Sequence, residues 1–278
     1  MDAPATVLAL VLAMTAVGGS VLLWFAPTWG NVRHGYEALT GGTLALIAWG
    51  AWASMRAPLA SLADTALADL ASLTSTLLAA LAIATALAAV VLLVRLPPVL
   101  GRVLGVLATV AGVAAFVPVA MIRADRGGPG GVTQGLAELL LGSLLMGAIW
   151  VGMILGHWYL VERRLSNRYM VWMAWANVAA VVAGLGSVLL SARNSVPCAD
   201  LTGAAFEACA RQFSPVLLIG SMTIILGLGV LALVALISGF NVKLAKEGGR
   251  SIQASTGMFY LAVILAPAVE FAAKVRFF

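Results

Sequence analysis

Long apolar stretches separated by short polar segments constrain this chain more than any other feature of its sequence. Of its 278 residues, 62% are hydrophobic and only 10% are charged, against about 25% charged residues in soluble domains. A helix needs roughly 20 apolar residues to cross a bilayer. Eight such stretches lie near residues 5–27, 38–56, 71–94, 99–122, 136–161, 169–191, 213–240 and 254–273. The sequence therefore predicts an all-α integral membrane protein, a single domain over residues 1–278 with about eight transmembrane helices.

The positions of Lys and Arg predict the orientation of these helices. Cytoplasmic loops are enriched in basic residues, and the 16 Lys and Arg residues divide nine to seven between the two sides. We assign the side with nine to the cytoplasm, because its basic residues lie in short loops at 28–37, 95–98, 162–168 and 241–253. Both termini are then expected on the outer, periplasmic side of a bacterial inner membrane. These loops account for most of the net charge of +5, so we expect contact with lipid and none with nucleic acid.

The two cysteines, Cys198 and Cys209, both fall in the loop after the sixth span. A disulfide persists in an oxidising compartment and not in the cytosol, so a shared position on the outer side agrees with this orientation. A redox or metal site of the CxxC kind is disfavoured, because the spacing is too wide and no other ligand lies nearby. We therefore predict a structural disulfide.

Two other outer segments also have a predicted structure. Segment 57–70 carries Asp64 and Asp69, five residues apart, and is predicted to form a short amphipathic helix on the membrane surface. Segment 124–135 is rich in Gly and is expected to be a flexible loop.

Two acids near the outer ends of their spans are candidates for proton handling. An ionisable side chain at membrane depth is a functional candidate by default, and this applies to Glu138 and Glu270. Each also has a structural explanation. Glu138 is predicted in the first turn of the fifth span, where the helix dipole favours an acid, and Glu270 precedes Lys274 by four residues, the spacing of a helical ion pair.

Aromatic, basic and amide side chains are concentrated around the turn between the fifth and sixth spans. Trp and Tyr prefer the membrane interface, so an aromatic belt is one interpretation. A ligand pocket at the cytoplasmic boundary is the alternative, because all four Tyr and six of the eight Trp fall on this side, whereas a belt would decorate both. The pocket candidates are His34 in the first loop together with His157, Trp158, Tyr159, Arg163, Trp172, Trp175 and Asn177.

The chemistry of these candidates favours a quinone as the ligand. An apolar pocket with a few convergent polar groups is the default ligand site, and a quinone needs hydrogen-bond donors beside aromatic walls. Ligation of haem b by two histidines is less favoured, since His34 is predicted in a loop and not on a helix facing His157. A plain interhelical hydrogen bond is the structural alternative for His157. Asn177 lies deep in its span and needs a partner on another helix, in a cofactor or in water.

Three functions are compatible with these features of the sequence. The first is an integral membrane subunit of a respiratory or other electron-transfer complex, with a quinone or lipid pocket at the cytoplasmic boundary and other subunits as partners. The second is a secondary transporter or channel for a small solute or proton, and the third is a structural or assembly subunit. The sequence has no covalent-cofactor, metal or nucleotide motif, so catalysis by this chain on its own is not expected.

Overall fold

The computed structural model describes residues 4–162, 164–211 and 218–278 as a bundle of helices. The helices are α1 (Pro4–Phe25), α2 (His34–Ala60), α3 (Ala68–Leu93), α4 (Pro98–Asp125), α5 (Gly131–Val161), α6 (Arg168–Ser191), α7 (Gly203–Ala210), α8 (Met222–Glu247) and α9 (Ser251–Lys274). All except α7 are long and apolar enough to cross a membrane. The prediction of an all-α, multi-pass membrane protein with eight spans is confirmed, and the orientation of its termini stays a prediction.

The centre of the bundle is the pair α1 and α5. In their most apolar windows, 78% of α1 and 72% of α5 is buried, against 28% of α8. Helices α2, α3 and α4 pack in sequence on one flank, and α6, α8 and α9 pack on the other. The apolar surface of the flanking helices is therefore left to contact lipid, which agrees with the expected bilayer environment.

The two central helices cross at glycines. A methyl group added to Gly18 would lie 1.7 Å from the carbonyl oxygen of Ser143, and one added to Gly147 would lie 2.1 Å from the Gly18 carbonyl carbon. Only a residue without a side chain permits this approach, which is the usual way that membrane helices gain contact in the absence of a hydrophobic driving force.

The predicted surface helix over 57–70 is not present. Helix α2 continues to Ala60 and α3 begins at Ala68. Between them, the hydroxyl groups of Ser61 and Thr65 each donate to the carbonyl oxygen three residues earlier, at 2.7 Å. Such local bonds compete with helical hydrogen bonding, so the segment turns between two spans instead of forming a third helix.

The predicted flexible loop 124–135 is also shorter than expected. Helix α4 extends to Asp125 and α5 already begins at Gly131. The Arg123 guanidinium donates to the carbonyl oxygens of Pro129 at 3.0 Å and Gly131 at 3.2 Å. These bonds fasten the connection to the end of α4, which composition alone does not reveal.

The seventh span is displaced from its predicted position of 213–240. Its helix, α8, runs from Met222 to Glu247, and residues 213–217 lie outside those that the structure describes. The last turns of α8 contain Lys243 and Lys246, whose aliphatic stems can lie along apolar surface while the ammonium groups reach the membrane boundary. The Lys246 ammonium, for example, lies 5.3 Å from the centre of the Trp175 ring.

The predicted disulfide is confirmed. Cys198 and Cys209 are bonded across a separation of 11 residues, with Cα atoms 6.0 Å apart. The bridge encloses most of α7, which has no buried residue. The disulfide therefore closes an exposed loop that the hydrophobic core does not support.

We expect Gly18→Ala to destabilise the protein by about 1–3 kcal/mol, because the added methyl group forces α1 and α5 apart. The measurement is thermal unfolding in mild detergent, with Gly229→Ala as the control. A Cβ atom at Gly229 has no neighbour within 4 Å, so this variant should unfold as the wild type does. Equal unfolding temperatures for Gly18→Ala and the control would contradict the close crossing.

Candidate functional site

The first loop packs against the end of α5, on the side predicted to be cytoplasmic. Arg33 Nε lies 2.9 Å from Glu162 Oε2. The Trp158 ring covers Gly35, where a methyl group would lie 2.5 Å from the indole, and its centre is 6.5 Å from that of the Tyr36 ring. The structure thus brings together two segments that are more than one hundred residues apart in the chain.

Tyr159 holds the turn between α5 and α6. Its hydroxyl group donates to the Ser166 carbonyl oxygen and accepts a hydrogen bond from the Met170 backbone N–H at 3.3 Å. Tyr159 is buried, so its position favours a structural role in this turn. Arg163, another predicted pocket residue in the same turn, lies outside the residues that the structure describes.

The two histidines face different neighbours. His157 is exposed, and its Nδ1 atom is 3.2 Å from the Tyr260 hydroxyl group of α9. His34 is the first residue of α2, a correction to its predicted place in a loop, and lines two cavities bordered by α3 and α4. The His34 ring thus has its partner on α2, and the His157 ring has its partner on α9. Among the described residues, no group of three or more His, Cys, Asp and Glu side chains is placed to hold a metal ion.

Two of the predicted candidates on α6, Asn177 and Trp175, contact α8. Asn177 is fully buried, and its amide nitrogen donates to the Ser238 hydroxyl group of α8 at 2.9 Å. Another helix therefore supplies a partner for the nitrogen, whereas Oδ1 has no hydrogen-bond partner among the described residues. Trp175 is 51% exposed and lies beneath Lys246, and Trp172 is half-buried. These three side chains belong to the packing of α6 and its outer surface.

A cavity of about 530 Å³ lies between the first loop, the start of α2 and the start of α4. We call it the α4 cavity. Its polar wall contains an acid, an imidazole, a guanidinium and an indole, and its apolar wall is formed by aliphatic residues of α4. The lining residues that matter here are Trp29, His34, Glu37, Arg102, Val103 and Val106.

Glu37 organises the polar wall of the α4 cavity. Its side chain is fully buried, Oε1 accepts the Gly30 backbone N–H at 2.7 Å, and Oε2 is 3.4 Å from His34 Nδ1. Arg102 approaches from α4, where its guanidinium carbon is 5.6 Å from the centre of the Trp29 ring and its Nε donates to the Trp24 carbonyl oxygen at 3.2 Å. A proton acceptor, a cation and an aromatic surface therefore border one space.

Glu37 and Arg102 are not among the residues that the sequence predicts for a ligand pocket. A helix beginning at His34 places residues three apart on one face, so His34 and Glu37 become neighbours. The sequence does not predict this pair, because the apolar stretch of the second span begins only near residue 38, four residues after the start of α2.

A second cluster of charged residues lies at the opposite end of the bundle. We call it the charge cluster, and it contains two ion pairs. Arg123 Nη2 is 3.3 Å from Glu138 Oε1, and Lys274 Nζ is 3.2 Å from Glu270 Oε2, with all four side chains fully buried. The i,i+4 pair expected for Glu270 and Lys274 is therefore formed. Glu138 is not in a first turn, because α5 begins seven residues earlier.

Two serines of α6 join the ion pairs. Ser191 donates to Glu138 Oε2 at 2.9 Å and accepts a bond from Lys274 Nζ at 3.2 Å. Ser187 donates to Glu270 Oε2 at 3.1 Å and also accepts from Lys274, at 2.9 Å. The charge cluster thus connects α4, α5, α6 and α9 with two positive and two negative charges that cancel.

Comparison of the chain with protein-family models, curated proteins and solved structures finds no match.

For the charge cluster we expect Glu270→Gln and Lys274→Met each to cost about 3–5 kcal/mol, because each leaves a buried charge without its partner. The double variant should cost clearly less than the sum, since it removes both charges. Thermal unfolding in detergent measures the three values, with the exposed Lys243→Met as an inert control. Additive losses would show that the two side chains are not coupled.

Proposed function

We propose that this protein is an integral membrane subunit of an electron-transfer complex and binds the headgroup of a quinone in the α4 cavity. The observation that carries the proposal is the buried Glu37 carboxylate beside His34, at a cavity whose opposite wall is aliphatic. A membrane quinone has the matching form, with a polar ring at the end of an apolar tail.

The polar groups of the α4 cavity suit the chemistry of a quinone. Oxidation of a quinol releases two electrons and two protons, so its site needs proton acceptors close to the hydroxyl groups. The exposed imidazole of His34 is an acceptor of this kind, and the enclosed carboxylate of Glu37 beside it can take the proton on from the imidazole. The guanidinium of Arg102 donates hydrogen bonds to a carbonyl oxygen, and the Trp29 indole offers a flat surface for the ring.

The size and position of the cavity support the same ligand. Small-molecule sites usually measure about 300–1,000 Å³, and the α4 cavity measures about 530 Å³. Val103 is 50% exposed on the lipid-facing side of α4, close to the polar wall. An apolar tail that follows this helix would remain in the hydrocarbon while the ring reaches His34, the exposed neighbour of Glu37.

Electron transfer also needs a redox centre within reach of the quinone. We assign this centre to a partner subunit that carries haem or an iron–sulfur cluster, because the two histidines of this chain face different neighbours. Within this proposal, the chain contributes binding of the quinone and acceptance of its protons, and the partner exchanges the electrons.

Proton-coupled transport is less well supported by the charge cluster. Transport requires an acid that changes its protonation state as the protein works, whereas Glu138 and Glu270 each have a cationic partner and a serine donor. The charge cluster therefore favours a structural role in fastening four helices.

We expect the purified protein to bind a short-chain benzoquinone analogue, measured by microscale thermophoresis. Glu37→Gln should weaken binding about tenfold, since the His34 ring loses the charged partner that orients it, and a hydrogen bond to a charged group is worth ~1.5–3 kcal/mol. Val103→Trp should abolish binding by filling the cavity from its lipid-facing side.

Arg56→Gln is the control for the loss of a charge from α2. Arg56 lies beside the indole of Trp52, on another part of the helix and away from the α4 cavity. The control should bind as the wild type does. A folded wild-type protein that does not bind the analogue, or a Val103→Trp variant with unchanged affinity, would refute the proposed site.

A further inference from the structure

A second cavity, of about 650 Å³, lies on the other side of His34 and is bordered by the first loop and the end of α3. We call it the α3 cavity. Three basic side chains line it, those of Arg33, His34 and Arg95, and none of its described lining residues is acidic. It is open to solvent at the same membrane boundary as the α4 cavity.

The positive charge of the α3 cavity is concentrated at Arg95. Arg33 is already paired with Glu162, and His34 lies beside Glu37. Arg95 is exposed and makes no ion pair with any residue that the structure describes. The first turn of α2 also borders the cavity, so the positive end of its helix dipole adds to the field there.

An apolar groove continues from this cavity into the membrane. We call it the α2–α3 groove, and it shares Gly35, Ala38 and Leu93 with the α3 cavity. It follows α2 as far as Trp49, a distance of roughly 21 Å at 1.5 Å per residue. That length covers one leaflet of a hydrocarbon core that is roughly 30 Å thick.

Small residues on both helices make the groove concave. Gly42 on α2 and Ala82 and Ala86 on α3 line it, and a Cβ atom at Gly42 would have no neighbour within 4 Å. Larger side chains rise beside them, such as Leu46 and Ile83, which are 70% and 61% exposed. The groove is therefore open to the lipid phase along its length.

The geometry points to a binding site for one anionic phospholipid, with its phosphate in the α3 cavity beside Arg95 and an acyl chain in the α2–α3 groove. Charge complementarity and the continuity of the two spaces select this occupant. A transmembrane helix would fill the groove but would leave the basic cavity empty, and a zwitterionic lipid would bring its own cation close to Arg95 and so gain less from it than an anionic lipid does. This site lies beyond the proposed quinone site and does not depend on it.

The test is native mass spectrometry of the detergent-purified, delipidated protein after addition of phosphatidylglycerol or phosphatidylcholine. The wild type should retain phosphatidylglycerol preferentially. Arg95→Asn, which suits the positive φ of 60° at this position, should reduce the preference about fivefold. Gly42→Leu should reduce retention of both lipids about tenfold, because its side chain occupies the volume of the acyl chain.

Matched controls separate this site from ordinary lipid contact. Arg250→Gln removes an exposed charge from the α8–α9 loop. Gly239→Leu adds a side chain to another glycine with open space around it, eight residues before the last residue of α8, as Gly42 is eight residues after the first residue of α2. Both controls should behave as the wild type does.

Three results would overturn the proposal. Equal retention of the two lipids by the wild type would show that the α3 cavity does not select an anionic headgroup. An equal effect of Gly239→Leu and Gly42→Leu would show that the α2–α3 groove contacts lipid no more specifically than the rest of the surface. A dimer that is lost in Gly42→Leu while phosphatidylglycerol retention is unchanged would assign the groove to a second copy of the chain. Binding of the benzoquinone analogue should be unaffected by Gly42→Leu. A negative result for the lipid site can therefore be distinguished from a negative result for the quinone site.

Discussion

The close crossing of α1 and α5 is the constraint on which the rest of the structure depends. Lipid provides no hydrophobic drive between helices, so contact area and polar bonds must hold the bundle together. Glycines at positions 18 and 147 bring the two backbones into contact, and both flanks of the bundle pack against this central pair. At one end, the charge cluster then ties α4, α6 and α9 to α5.

The two ends of the bundle differ in how their polar groups are satisfied, and this difference indicates where ligands bind. In the charge cluster, four buried charges cancel and two serines connect them, and only Arg123 Nε and Glu270 Oε1 of the described side-chain atoms in the two ion pairs have no hydrogen-bond partner. Around His34, by contrast, Arg95 and Arg102 border open cavities, and only Glu37 is fully enclosed. One end is therefore suited to stability, and the other to the binding of amphiphilic molecules at the membrane boundary.

The sequence predicted the spans well and their partners poorly, for a physical reason. In lipid, a backbone must satisfy its hydrogen bonds within a helix, so apolar length alone locates the eight spans. The helix ends are harder to predict, because a helix can include polar residues that are paired. Glu138 is paired inside the bundle, and His34 and Glu37 are paired within the first turn of α2. The pairing of Arg123 with Glu138 depends on the packing of α4 against α5, which no local pattern records. Conversely, the disulfide was predictable because the chain has only two cysteines, and both lie in one loop that is expected on the outer side of the membrane.

The central claim is that the α4 cavity holds a quinone in the native membrane. The most direct measurement is organic extraction of the protein purified in mild detergent from its own membrane, followed by mass spectrometry of the released small molecules. The proposed site predicts a quinone in roughly equimolar amount from the wild type and its loss from Val103→Trp. A folded protein that releases phospholipid but no quinone would contradict the assignment of the α4 cavity.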